Sequence, residues 1–243
     1  MAQERQAKRH PAERGLLSRI LGGVARALAW LVAALFLSIL LEWAGMLFWW
    51  PEQGSLHSRN MLEREISYLN SDFRRSLVTS SPARFARGFA DTFYYYLFEW
   101  TRVVNFIEWL RQPAPADEGR IQTILRGAYA QVADYVIAAM TITQVFAVRL
   151  AVLTLAIPVF ILFGIVALVD GLVQRDLRRW CGGRESSFVY HHAKTAIFPA
   201  LILAWVIYLG MPTSMHPNFV ILPFSVLFAT AIAIAARSFK KYL

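Results

Sequence analysis

The sequence contains little of what soluble domains are built from. Charged residues make up 17% of its 243 residues, against about 25% in a typical soluble domain. Cys181 is the single cysteine, so a disulfide within the chain is excluded. Lysine is absent from the whole of residues 51–148. The composition therefore excludes an ordinary soluble domain and leaves the redox compartment open.

Known catalytic motifs are missing as well. The chain has no Gly-x-x-x-x-Gly-Lys-Ser/Thr loop, so it is not itself a P-loop ATPase. It also has no Gly-x-Gly-x-x-Gly, His-Glu-x-x-His, Cys-x-x-Cys or Gly-x-Ser-x-Gly. We therefore expect a non-enzymatic protein with no catalytic residue, no cofactor and no metal.

Apolar residues are abundant, at 57% of the chain, and they are grouped into long runs. The second run is bounded by Arg149 and Asp170, which are 21 residues apart. A helix of that length spans about 31 Å, close to the thickness of a bilayer core, about 30 Å. We predict an all-α polytopic membrane protein with four transmembrane helices, the last two forming a tight hairpin. The four predicted spans are 27–50, 150–169, 196–211 and 219–236.

The positive charge is unevenly distributed between these spans. Residues 1–26 carry six basic and two acidic groups, residues 170–194 carry five and three, and residues 237–243 carry three basic groups. Residues 51–148 carry ten arginines and ten acids, which cancel. By the positive-inside rule, both termini are then cytoplasmic and residues 51–148 form an extracytoplasmic domain. The remaining predicted parts are a basic cytoplasmic N-terminus (1–26), a cytoplasmic hairpin (170–195), a short outer loop (212–218) and a cytoplasmic tail (237–243).

This distribution also bears on location and partners. A multi-pass protein of the bacterial inner membrane with its basic segments in the cytoplasm would attract anionic lipid headgroups. Because topology accounts for most of the +9 net charge, we expect no direct nucleic-acid binding.

The extracytoplasmic region is predicted to be helical. Apolar residues recur near a 3.6 period from Met61 to Phe73, and Ser81 followed by Pro82 indicates a helix start. Residues 89–110 are predicted to form one aromatic helix, either on the outer membrane face or inside the helical cap, and both placements stay open. From Asp117 to Arg179 the chain has no turn signal, so part of that helix should project out of the membrane.

The cytoplasmic hairpin, "DGLVQRDLRRWCGGRESSFVYHH", contains most of the candidate functional residues. Gly182 and Gly183 should end its first helix. His191 and His192 are adjacent and diverge by about 100° on a helix, so they are poorly spaced to chelate a metal together. We instead predict a surface for partner binding or orientation. Its candidate residues are Arg175, Asp176, Arg178, Arg179, Arg184, Glu185, Tyr190, His191 and His192.

Glu42 is the one charged residue well inside a predicted span. An ionisable residue within a membrane helix is a functional candidate by default. It either faces the outer interface or pairs with a basic side chain of residues 51–148.

The segment "LVDGLVQRDLRRWCGGRESSFVYHHAK", residues 168–194, resembles the signature of a family of integrating-conjugative-element inner-membrane proteins. The basic N-terminus, the Trp-Trp-Pro after the first span, the arginine-rich middle and the C-terminal hairpin are similar too. The resemblance implies an accessory component of conjugative DNA transfer by type IV secretion, which assembles with the type IV coupling protein or other channel proteins. The family has no assigned catalytic residue, so the resemblance implies no active site in this chain. Alternatives are an entry-exclusion protein, or a small transporter or enzyme that uses Glu42 and the histidines. Homo-oligomerisation is possible.

Overall fold

The computed structural model describes residues 16–71, 81–112, 119–181 and 187–239. These residues form helices and contain no strand, which confirms the predicted all-α class. Helices α1, α5, α6 and α7 are each long and apolar enough to cross a membrane. The helices are α1 Leu16–Phe48, α2 Ser55–Ser71, α3 Pro82–Tyr94, α4 Val103–Arg111, α5 Arg120–Trp180, α6 Ser187–Gly210 and α7 Asn218–Arg237, with a π-helical turn at Tyr95–Glu99.

Helix α5 is the central element. Its 61 residues correspond to a length of about 92 Å, and the helix continues through Pro158. This continuity confirms the prediction of an uninterrupted helix from about residue 117 to residue 179. It also means that the chain has no helix boundary at residue 149, where the predicted domain was expected to end. Residues 51–148 therefore share one helix with the second apolar run.

The core lies along the middle of α5. Every residue from Val145 to Leu153 is buried, because helices pack around that stretch on all sides. Its neighbours come from α3, α6 and α7, with side chains of α1 and α2 completing the cluster. The two parts of the chain distinguished by composition are thus joined in one core.

Helices α5 and α7 lie close together at Gly171. A Cβ atom at Gly171 would lie 2.6 Å from the Ala233 carbonyl oxygen and 2.7 Å from the Ala236 Cβ. The adjoining α6 and α7 pack against each other as the predicted hairpin.

The prediction of a single aromatic helix over residues 89–110 is wrong. Helix α3 begins as expected at Pro82, but it gives way to the π-helical turn, and Arg102 then adopts a left-handed conformation with φ 59°. The break redirects α4 so that Ile107 and Leu110 pack against Tyr129 of α5. Aromatic and β-branched residues are only moderate helix formers, so this long-range packing outweighs local propensity.

The break also divides the aromatic side chains between two environments. Phe85, Phe89 and Phe93 pack against the core, whereas Tyr96 and Trp100 are 60% and 72% exposed. The start of the segment thus packs on the core, Tyr96 and Trp100 at the break are exposed, and α4 is buried again through Ile107 and Leu110.

Candidate functional site

The described candidate residues of the predicted cytoplasmic hairpin (170–195) lie at one end of the helix bundle, where α5 and α7 end and α6 begins. The Gly171 contact brings α5 to α7, and the Tyr190 ring lies 5.8 Å from the Phe239 ring, which joins the start of α6 to the end of α7. We call this the basic end, after its described cations Arg175, Arg178, Arg179, Lys194 and Arg237.

The arginines of α5 differ in their partners. Arg175 donates from Nε and Nη2 to Asp176 Oδ1, at 3.2 and 3.1 Å. Arg179 Nη1 lies 4.0 Å from the same carboxylate oxygen. The Nε and Nη2 atoms of Arg178 are buried and have no hydrogen-bond partner in the described part of the chain. Arg175 and Arg179 thus share the Asp176 carboxylate, and Arg178 does not approach it.

The aromatic and histidine residues of α6 make local contacts. His192 Nδ1 donates to the Phe188 carbonyl oxygen at 2.9 Å, and its ring lies 4.0 Å from the Phe188 ring. His191 packs edge-on against Tyr190, whose ring also lies 5.8 Å below the Lys194 ammonium. Both histidines are exposed.

Two of the predicted hairpin residues, Arg184 and Glu185, lie outside the described residues, and so does the predicted Gly182–Gly183 helix end. Cys181 is exposed. Among the described residues, no three His, Cys, Asp or Glu side chains are grouped as metal ligands would be.

Glu42 lies at the other end of the bundle, in a buried contact between α1 and α2. Its side chain is 1% exposed, and its two carboxylate oxygens lie 3.1 and 3.2 Å from His57 Nδ1. The His57 ring stacks on Trp50 at 3.9 Å, and Trp50 covers Gly45 so closely that a Cβ there would overlap it. The partner of Glu42 thus comes from residues 51–148. The contact fixes the turn between α1 and α2.

The most buried ion pair joins Arg149 of α5 to Glu65 of α2. Arg149 donates from Nε and Nη2 to Glu65 Oε1, at 2.9 and 2.7 Å, and both side chains are at most 1% exposed. The Tyr208 hydroxyl donates to Glu65 Oε2 at 3.1 Å. The guanidinium also donates to the carbonyl oxygens of Met211 and Thr213. Four segments of the chain therefore meet at one guanidinium group.

Sequence reasoning did not find this pair. It treated Arg149 as a charge marking the end of a span, and it did not single out Glu65. The available signal was spacing, because Glu65 lies four residues after Met61 and four before Leu69, both buried. A carboxylate on the apolar face of a predicted helix requires a partner, and that requirement points to an arginine at the edge of the core.

A cavity of about 270 Å³ lies between α2, α4 and α5. Its polar lining includes Arg59 of α2, Glu108 and Arg111 of α4, and Tyr94. Burial, then the nearby carboxylates of Glu99 and Glu108, raise the pKa of the Tyr94 hydroxyl above its ordinary value. The cavity is the size of one or two amino-acid side chains.

Comparison with known proteins shows which family the chain belongs to. The family model for the IncC plasmid conjugative DNA transfer protein DtrJ-like family matches residues 49–240. No curated protein and no solved structure matches the chain. The matched region extends from the Trp-Trp-Pro after α1 to the residues after α7, and it includes the segment 168–194. It confirms the predicted membership in a conjugation-associated family, whose description names a plasmid rather than an integrating element. The chain therefore belongs to the DtrJ-like family of conjugative DNA transfer proteins.

Proposed function

We propose that this chain is a non-enzymatic inner-membrane component of a conjugative type IV secretion apparatus, encoded by an integrating conjugative element. It crosses the membrane four times, with both termini and the basic end in the cytoplasm and most of residues 51–148 outside. In this arrangement it is an assembly partner of the coupling ATPase or of the transfer channel. The observation that carries the proposal is the family match over residues 49–240.

The geometry supports a connecting role. Helix α5 extends from the basic end through the core to Arg120 within residues 51–148, and its length is about three times the thickness of a bilayer core. It offers a rigid connection between a cytoplasmic surface and an extracytoplasmic one. A protein built around such a helix can contact machinery on both sides of a membrane at once.

The charge of the basic end supports the proposal that a partner binds there. Arg178, Lys194 and Arg237 have no acidic partner among the described residues, and exposed apolar side chains surround them, including Trp180 and Phe188. A cluster of cations and aromatic side chains with few acids favours an acidic protein surface or anionic lipid headgroups.

A mating assay tests the proposal. Deletion of the gene from a donor should abolish DNA transfer, and the wild-type gene should restore it. A variant with Arg175, Arg178, Arg179 and Arg184 all changed to Gln should fail to restore transfer and should not co-purify with the coupling ATPase in mild detergent.

A matched control uses four arginines from outside the basic end. The variant with Arg59, Arg64, Arg84 and Arg87 changed to Gln removes the same charge from residues 51–148 and should restore transfer. A reporter fused near residue 185 must read as cytoplasmic in both variants. Undiminished transfer after deletion of the whole gene contradicts the proposed function.

A further inference from the structure

Arg178 is distinguished by what its guanidinium lacks. Arg175 and Arg179 both approach the Asp176 carboxylate, whereas two nitrogens of Arg178 are buried without a partner among the described residues. Buried polar groups in native proteins are nearly always hydrogen-bonded, and an unpaired donor on a charged group is especially unfavourable. Two such donors on one side chain make Arg178 a candidate group for binding a ligand.

The two unpaired atoms define the shape of that ligand. Nε and Nη2 form one edge of the planar guanidinium, and their parallel N–H bonds match two oxygens of a phosphate or a carboxylate. Asp176, the described carboxylate nearest in sequence, already accepts two hydrogen bonds from Arg175. The ligand is therefore an oxyanion that the described residues do not supply.

The position of Arg178 indicates which kind of molecule supplies that oxyanion. It follows Gly171 by seven residues, nearly two helical turns, so it lies on the face of α5 that contacts α7. It also follows Asp170, the end of the predicted span, by eight residues or about 12 Å of helix. Long side chains on a helix lean toward its N-terminus, which directs the guanidinium back toward the membrane.

The surroundings correspond to the headgroup layer of a bilayer. Trp180 and Phe188 are 89% and 71% exposed, and the half-buried Tyr190 lies beside Lys194. Trp and Tyr concentrate where the hydrocarbon meets the headgroups, and cations there attract anionic lipids.

We propose that the Nε–Nη2 edge of Arg178 binds the phosphodiester of an anionic phospholipid between the ends of α5 and α7. This inference rests on the proposed function only for the membrane orientation of the basic end. Bidentate binding explains why Arg178, rather than the exposed Arg179, is placed against the bundle. It also leaves Arg175 and Arg179, which share Asp176, free to meet a protein partner.

Native mass spectrometry of the full chain in an uncharged detergent tests this site. Phosphatidylglycerol is titrated, and the dissociation constant of the first bound lipid is measured. Arg178→Gln should weaken it at least tenfold, equivalent to about 1.4 kcal/mol. Arg179→Gln, which removes the same charge one residue further on, should change it less than twofold. Arg178→Lys should restore only part of the affinity, because an ammonium has no planar fork.

Further measurements separate the sources of the anion. Inorganic phosphate at ten times the lipid concentration should not displace the lipid. Displacement would show that the site binds a soluble phosphate and would overturn the lipid assignment. Equal loss of lipid in the Arg178→Gln and Arg179→Gln variants would overturn the site, because it would show diffuse attraction by charge. Helix content by circular dichroism must match the wild type in every variant. If the lipid-binding test fails, the effect of gene deletion on DNA transfer is unchanged, so each proposal can be rejected without the other.

Discussion

The Arg149–Glu65 pair shows how one residue can hold two compositionally different parts of the chain together. Two opposite charges are removed from water at the centre of the core. Tyr208 donates a further hydrogen bond to Glu65, and Arg149 donates further hydrogen bonds to the loop carbonyl oxygens. A buried pair of this kind adds little net stability compared with apolar residues, but removal of one partner is severe. Its consequence is a fixed register between α2 and α5.

Arg149→Met should therefore destabilise the protein by about 3–5 kcal/mol, because Glu65 is left charged and buried. The double variant Arg149→Met with Glu65→Leu should recover part of that loss. Chemical unfolding in detergent micelles, followed by circular dichroism, measures both. Arg64→Met on the exposed side of α2 is the control and should stay within about 0.5 kcal/mol of the wild type. An Arg149 variant as mild as this control would contradict a structural role for the pair.

At the scale of the helices, local sequence predicted long regular elements well and broken ones poorly. The absence of turn signals identified α5 correctly, and the apolar runs identified α1, α6 and α7. The break at Arg102 was missed because its cause is the packing of Ile107 and Leu110 on Tyr129, nearly twenty residues or more away. The Glu65–Arg149 contact spans 84 residues. Local spacing shows that Glu65 needs a buried partner, but it does not identify Arg149 as that partner.

The candidate site follows the same division. The arginine cluster at the end of α5 is visible in the sequence, because three arginines follow within ten residues of the end of an apolar run. The direction of the Asp176 side chain decides which arginine is left unpaired. That direction is set only when the end of the helix has folded. His57 went unnoticed because its role depends on stacking against Trp50 and on the turn that returns it to Glu42.

The left-handed residue gives a direct test of the broken helix. Arg102→Gly should stabilise the protein by about 1 kcal/mol, because glycine adopts a positive φ without the steric penalty of a side chain. Arg84→Gly, within α3, should destabilise it by about the same amount. Unfolding free energies in detergent supply both values. A loss of stability for Arg102→Gly would indicate a continuous helix through residue 102.

The contact between α5 and α7 gives a second test. Gly171→Ala should destabilise the protein by about 1–3 kcal/mol, because its Cβ overlaps the backbone of α7. Gly127→Ala places the same methyl group on α5 where nothing lies within 4 Å, and it should stabilise by up to about 1 kcal/mol. Thermal unfolding of the two variants compares them under one condition. Similar shifts of the same sign would contradict the close approach.

For the whole molecule, the arrangement of helix ends agrees with the charge pattern along the chain. The described parts of the second and third basic segments lie together at one end of the bundle, and Glu42 lies at the other. This is the arrangement expected if one end of the bundle stays in the cytoplasm.

Reporter fusions measure that orientation. Fusions near residues 115, 185 and 214 should report outside, inside and outside, since residues 51–148 carry no net charge and the basic end carries a positive one. Periplasmic alkaline phosphatase activity and cytoplasmic fluorescence are complementary readouts. A cytoplasmic signal at residue 115 would contradict the topology.

The continuity of α5 through Arg149 determines how the protein can be dissected in the laboratory. A fragment that stops at residue 148 cuts a helix in its middle and discards the only described cation that reaches Glu65. The shortest contiguous fragment that keeps every contact of the pair extends to Thr213, and it carries α5 and α6 with it. Residues 51–148 should therefore be prepared and studied in detergent, with their hydrophobic helices attached, and not as a soluble domain.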